Sequence, residues 1–108
     1  MSNAIEDIRA ERERQKSVEG WTIEHDDQHT GGELIRAAIC YAQHPITHPM
    51  AMRQLGPGRP CDLWPWEASW WKPKNPRQDL VRAGALIAAE IERLDRLALN
   101  SELALKTA

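Results

Sequence analysis

The chain of 108 residues contains no phenylalanine and a single tyrosine. The usual aromatic core fillers are therefore missing, and five tryptophans are left to plug what the aliphatic side chains do not. No stretch approaches the roughly 20 apolar residues that cross a bilayer, so no membrane partner is expected. The first residues, MSNAIEDIRA, are charged and lack an apolar h-region, so no secretory signal is expected either. Positive charge is not in excess. A net charge of −2 argues against general nucleic-acid binding, which needs a basic footprint to neutralise phosphates. Cysteine is scarce, with only Cys40 and Cys61. These can pair in an oxidising compartment, but without a secretion signal free thiols in a cytoplasm are the expectation. No serine, cysteine or lysine has a visible partner base, so nucleophilic catalysis has no support and no cofactor is expected.

What is present is unevenly spread. The length and the 42% apolar content fit one domain with a modest core. Residues 1–33 carry nine acidic and four basic side chains, a balance of −5. Residues 44–82 carry six basic and three acidic ones, a balance of +3. Inside that positive part lies CDLWPWEASWWKPKNP, residues 61–76, which holds four of the five tryptophans and three prolines.

Three helices are predicted. Asn3 followed by Glu6 resembles a capping box and opens a helix over residues 3–18, its apolar stripe being only Ile5, Ile8 and Val18, with Gly20 as the stop. Thr30 and Glu33 form a second capping box before a helix over residues 31–43, whose positions 34, 35, 38, 41 and 42 share one face. The last helix begins with Asn75 as N-cap and Pro76 at the first turn, and spans residues 76–99. Leu80, Ala83, Ile87, Ile91, Leu94 and Ala98 recur along it at three- and four-residue spacing, and Gly84 and Ala88 offer a close approach to another helix or a ring. Residues 100–108 read as a flexible tail whose Leu103 and Leu105, with Leu97 and Leu99, have enough apolar surface to support a homodimer. Residues 44–75 contain six prolines and read as one long loop. Its tryptophan-rich second half is expected to be ordered and functional, and its first half, HPITHPMAMRQLGPGRP, mobile. The fold class is thus all-α, a small three-helix domain clamped by a Trp/Pro-rich loop.

The strings ERERQ, EGWTIEHDDQHTGGELIRAAICYA, WPWEASWWKP and RQDLVRAGALIAAEIERLD, in that order along the chain, resemble a widespread set of small phage and prophage proteins, a likeness that extends over about nine-tenths of the chain. That resemblance implies an accessory protein acting in the bacterial host cytoplasm and implies no activity. A narrower resemblance is to the ryanodine-receptor repeat domain, carried by a helix that leads into the turn Gly20, Trp21 and Thr22. That family continues with an aromatic and a glycine, where this chain has Ile23 and Glu24. It implies a ligand-sensing module with a nucleotide-like ligand, which in a phage protein would be a captured host immune signal.

Candidate site residues follow from the same segments. Trp64, Trp66, Trp70 and Trp71 present ring faces to a base or to one another, and Arg59, Lys72, Lys74 and Arg77 bring positive charge beside them. The plain alternative is that most of these rings staple the core, and Trp64 and Trp66 alternate as if one turns inward. Glu24, His25, Asp26 and Asp27, after Trp21, can hold ribose or amino edges, or can cap a helix and pair with arginines such as Arg12. His25 with His29, and His44 with His48, have the H-x-x-x-H spacing of helical zinc sites, but the first pair runs through a turn-like stretch and the second is flanked by Pro45 and Pro49. Loop histidines bonded to turns are the simpler reading, and no metal ligand is assigned. His25–Asp26 matches the dipeptide of the HD phosphohydrolases without their upstream histidine, and Glu92–Asp95 is half of a pyrophosphohydrolase pattern without its other half. The expectation is a non-enzymatic binding protein that captures a nucleotide-like small molecule between the GWTIEHDD turn and the WPWEASWWKPK loop. Its alternatives are an inhibitor of a host defence protein through the tryptophan surface, and a metal-dependent phosphohydrolase.

Overall fold

The computed structural model describes residues 3–47 and 61–107. It is all-α, with no strand among the described residues. Helix α1 runs Ala4–Ser17, α2 Ile23–Asp27, α3 Glu33–Thr47 and α4 Pro76–Thr107, with one 3-10 turn at Ala68–Trp70. None of these helices is long and apolar enough to cross a membrane.

Local chemistry explains where the helices start. The Asn3 side chain accepts from the amides of Ile5 and Glu6, Glu6 and Asp7 sit in the first turn of α1, and Arg14 and Lys16 sit in the last. Both charge placements complement the helix dipole. At α4 the Asn75 side chain accepts from the Gln78 amide at 2.9 Å, and Pro76 takes the first position, where its missing N–H costs nothing.

The buried face of α1 differs from the expected apolar stripe. Ile5 and Val18 are exposed, whereas Glu11, Arg12 and Gln15 are buried. These polar groups are only partly satisfied, through contacts with one another and with α2. Arg14 forks onto Glu11 with two bonds of 2.8 Å, Gln15 donates to Glu11, and Arg12 reaches Asp26 of α2 at 2.8 Å. Ile8 supplies the apolar contact by lying over Gly84 of α4, where an added Cβ would meet its Cδ1 at 2.9 Å. Glycine at that position is what lets the two helices approach.

Helix α4 shows the larger correction. Leu80, Ile87, Ile91 and Leu94, whose periodicity marks the helix, are 43–53% exposed. Of that stripe Ala83 is buried as expected, but the rest of the inward face is the adjacent one, with Val81, Ala85, Leu86 and Ala89. Small residues win this face because they allow α3 to pack close, and α3 answers with Leu34, Ala37, Ala38 and Tyr41. Helix α4 also continues to Thr107, through the segment expected to be a flexible tail, and α3 continues through Pro45 to Thr47 rather than ending at residue 43. The proline falls in the last turn, where a missing amide and a displaced carbonyl disturb little of the helix.

Cys40 and Cys61 form a disulfide, with sulfurs 2.07 Å apart and Cα atoms 5.7 Å apart. The expectation of free thiols is overturned. Cys40 lies on the buried face of α3, and the chain returning 21 residues later sets Cys61 against the same core. A bond of this kind persists where the glutathione pool does not reduce it.

Candidate functional site

The site grows from the end of α1. Gly20 adopts φ of +75°, a left-handed conformation open to glycine, and so turns the chain back. The Trp21 amide then donates to the Gln15 carbonyl at 2.9 Å, which fixes the tryptophan beside the helix it follows. Thr22 caps α2 by accepting from the His25 amide at 3.2 Å. One short turn of helix, read as an irregular stretch in the sequence, therefore carries His25 and Asp26.

Asp26 is the anchor of that turn. It is 1% exposed; its Oδ2 accepts from Arg12 and its Oδ1 accepts from His25 Nδ1 at 3.2 Å. Asp27, on the outer side, takes a forked contact from Arg96 of α4, the shortest bond being 2.7 Å. Glu24 is exposed. Both aspartates thus hold α2 to its neighbours, and the ring of His25 is presented outward.

The tryptophans divide into two groups. Trp71 is buried; its ring packs 4.7 Å from Tyr41 and 5.2 Å from His44. Trp64 lies edge-on to Tyr41 at 5.7 Å and 5.1 Å from Trp71, and its indole N–H donates to the Glu67 carbonyl. These two rings complete the core that phenylalanine would otherwise fill. Trp66 bridges core and groove, 5.4 Å from Trp64 on one side and 5.4 Å from Trp21 and 5.5 Å from His29 on the other. Trp70 is 43% exposed and has the Lys72 ammonium 5.5 Å above its ring.

Between the two segments lies an open groove of about 790 Å³ lined by Trp21, Trp66, Trp70, His25 and His29, with the carboxylate residues Glu19 and Glu67. Trp21 and His25 are stacked with 4° between their planes. His29 Nε2 lies 3.1 Å from His25 Nε2, and its Nδ1 donates to Glu33 at 2.9 Å. Burial pushes the Glu33 carboxyl up, but the His29 bond and backbone amides of Gly31 and Glu33 outweigh it and hold its pKa below the ordinary value. Glu19 is tied to Arg14 at 2.9 Å and approaches Lys72 at 3.9 Å, so the cation beside Trp70 is itself positioned.

No protein-family model, curated protein or solved structure matches the chain.

Of the residues singled out in the sequence, the structure brings Trp21, His25, Trp66 and Trp70 to one groove with Lys72 beside it. Trp71 stands in the core and Trp64 against it, and Trp21 and Trp66 pack against the same core while also lining the groove. Lys74 gives its backbone amide to Asp79 at 2.8 Å, and Arg77 pairs with Asp7 at 2.6 Å. Arg59 and His48 lie outside the described residues. The sequence reading did not assign Glu19, His29 or Glu67 to the site. His29 had a usable signal in its spacing from His25; the other two had none, because only the return of the 61–75 segment places them at the groove.

Proposed function

We propose that this protein is a non-enzymatic binder of a nucleotide-like small molecule, held in the groove between the Gly20–Thr22 turn and the 65–70 segment. One observation carries the reading: an open groove of ligand size whose walls are three tryptophans and two imidazoles. Ligand sites are typically about 300–1,000 Å³ and mostly apolar, with a few placed polar groups. Indole faces stack on a planar base without regard to its identity, a contribution of about 1–3 kcal/mol per base. Lys72, steered by Glu19 and lying over Trp70, is the cation available to a phosphate.

The resemblance to the ryanodine-receptor repeat supports this reading, since it falls on the turn that seats Trp21. The resemblance to small phage proteins supports a setting in which the ligand is a host defence signal and capture is the whole activity. A second reading, inhibition of a host defence protein, is favoured by the exposed Trp70, a residue type enriched in binding hot spots. The exposed seam of α4 further supports self-association, because Ile87, Ile91, Leu94 and Ala98 follow the four-three-four spacing that another helix fills.

A thermal-shift panel of cyclic and linear nucleotides tests the leading reading. A ligand of the folded state at about 100 times its Kd adds about 2.7 kcal/mol of stability, which is easily seen as a raised Tm. One nucleotide should raise the Tm of the wild type and not that of Trp66→Ala. A flat panel would reject the capture reading and leave the protein-inhibitor reading to a binding assay against host defence proteins.

A further inference from the structure

The two groove histidines are arranged in a way that stacking on a base does not require. Each imidazole has its Nδ1 against a carboxylate, His25 on Asp26 at 3.2 Å and His29 on Glu33 at 2.9 Å. An ionised carboxylate only accepts, so both Nδ1 atoms are the donors and both Nε2 atoms are left with lone pairs. Those two Nε2 atoms face each other at 3.1 Å. Two lone pairs at that separation repel unless a cation lies between them, either one extra proton or a metal ion.

We propose that His25 and His29 form a binding site for a borderline transition-metal ion of the zinc class, open to the groove. Zinc–imidazole bonds of about 2.0–2.1 Å place two nitrogens about 2.9 Å apart at a right angle and about 3.3 Å apart at the tetrahedral angle. The observed 3.1 Å lies between these values. The carboxylates behind both rings are the partners that metal-bound histidines usually have, fixing the tautomer and raising the basicity of the ligating nitrogen. Those partners are themselves held, Asp26 by Arg12 and Glu33 by its contacts with backbone amides. The rings are braced from the other side by Trp21 and Trp66.

Among the described residues no group of three or more histidine, cysteine, aspartate or glutamate side chains converges on such an ion. The remaining coordination positions therefore belong to water or to an oxygen donor of whatever occupies the groove. Imidazole pairs suit zinc, copper and nickel and discriminate against magnesium and calcium. This inference does not rest on the nucleotide reading, since the metal alone is the ligand.

The test uses the full-length protein, stripped of metal and with no nucleotide present. Isothermal titration with Zn²⁺ should give one saturable equivalent, and Mg²⁺ should give none. Copper(II), which quenches indole emission, should darken the tryptophan fluorescence with the same stoichiometry. His25→Asn and His29→Asn should each abolish saturable zinc binding while keeping the wild-type circular dichroism. Glu33→Gln, which leaves both ligating nitrogens in place, should weaken zinc about 10-fold, the lower end of the range for such supporting carboxylates. Histidine side-chain NMR gives a readout that does not depend on the variants, because zinc should move the Nε2 resonances of these two rings. Absence of saturable zinc binding by the wild type would overturn the proposal, as would binding that survives both histidine substitutions.

Discussion

The Arg12–Asp26 pair should behave as a buried ion pair whose halves cannot be removed singly. Arg12 is 4% exposed and Asp26 is 1% exposed, and they meet at 2.8 Å. Asp26→Ala removes the countercharge and leaves a guanidinium in the interior. Breaking such a pair costs about 3–5 kcal/mol. Here the loss should sit near the lower end, about 3 kcal/mol, because Glu92 lies 3.5 Å from the same Arg12 nitrogen and remains as a partly solvated partner. Against a total stability of about 5–15 kcal/mol, that is a large fraction. Arg12 Nε and Nη1 are already buried without a hydrogen-bond partner, so the pair is imperfectly satisfied even when intact. The double variant Arg12→Met/Asp26→Leu should therefore recover to within about 1 kcal/mol of wild type, since apolar replacements of a buried pair are often neutral or better. Urea denaturation gives both values from the shift in midpoint, provided the slope is unchanged. A loss below about 1 kcal/mol for Asp26→Ala, or a double variant no more stable than the single, would refute the assignment of Asp26 as the structural anchor of α2.

Three further outcomes are expected. Replacing Cys40 and Cys61 together by serine opens a closure of 21 residues and should lower stability by about 3 kcal/mol, by the loop-entropy relation, in the same denaturation assay. Tyr41, the only tyrosine, has its phenol pKa pushed above the ordinary 10.0 by burial, against the opposing pull of the Lys72 amide and Arg82. The folded state therefore holds that proton more tightly than the unfolded state. Its contribution is fully present below pH 10 and is lost as pH rises through the elevated value, which ultraviolet titration of the single phenol reads directly. Ile91→Lys, at a 53% exposed position in the α4 seam, should abolish self-association in sedimentation equilibrium while leaving the helical circular dichroism unchanged.

How much of this was legible depended on whether the deciding interaction was local. The starts of α1 and α4 were, because Asn3, Asn75 and Pro76 act within one turn of themselves. Helix α2 was not. Its five residues, one isoleucine and four polar side chains, are too few to show a periodicity, and it is held by Arg12 and Arg96, which lie 14 and 69 residues away. The inner face of α4 was misplaced because hydrophobicity alone ranks Leu80, Ile87 and Ile91 above Ala85 and Ala89. Close packing against α3 selects by size instead. The end of α4 was drawn too early because the apolar repeat fades after Asn100, although glutamate, leucine, alanine and lysine there are all good helix formers. Tryptophan density pointed to the 61–76 segment, but which rings fill the core is set by where α3 presents Tyr41. The disulfide was open to the sequence as a pairing but set aside for want of a secretion signal, and the chain path that brings Cys61 to Cys40 is not described by their spacing.

The ring-to-ring contacts have one more consequence, for light rather than for ligands. Trp21 lies 5.4 Å from Trp66, Trp66 lies 5.4 Å from Trp64, and Trp64 lies 5.1 Å from Trp71. At those separations four of the five indoles are close enough to exchange absorbed energy between core and groove. A quencher bound beside Trp66 will drain excitation from rings it never touches. The emission of this protein therefore behaves as that of one extended chromophore, and removing single tryptophans will not divide its signal into additive shares.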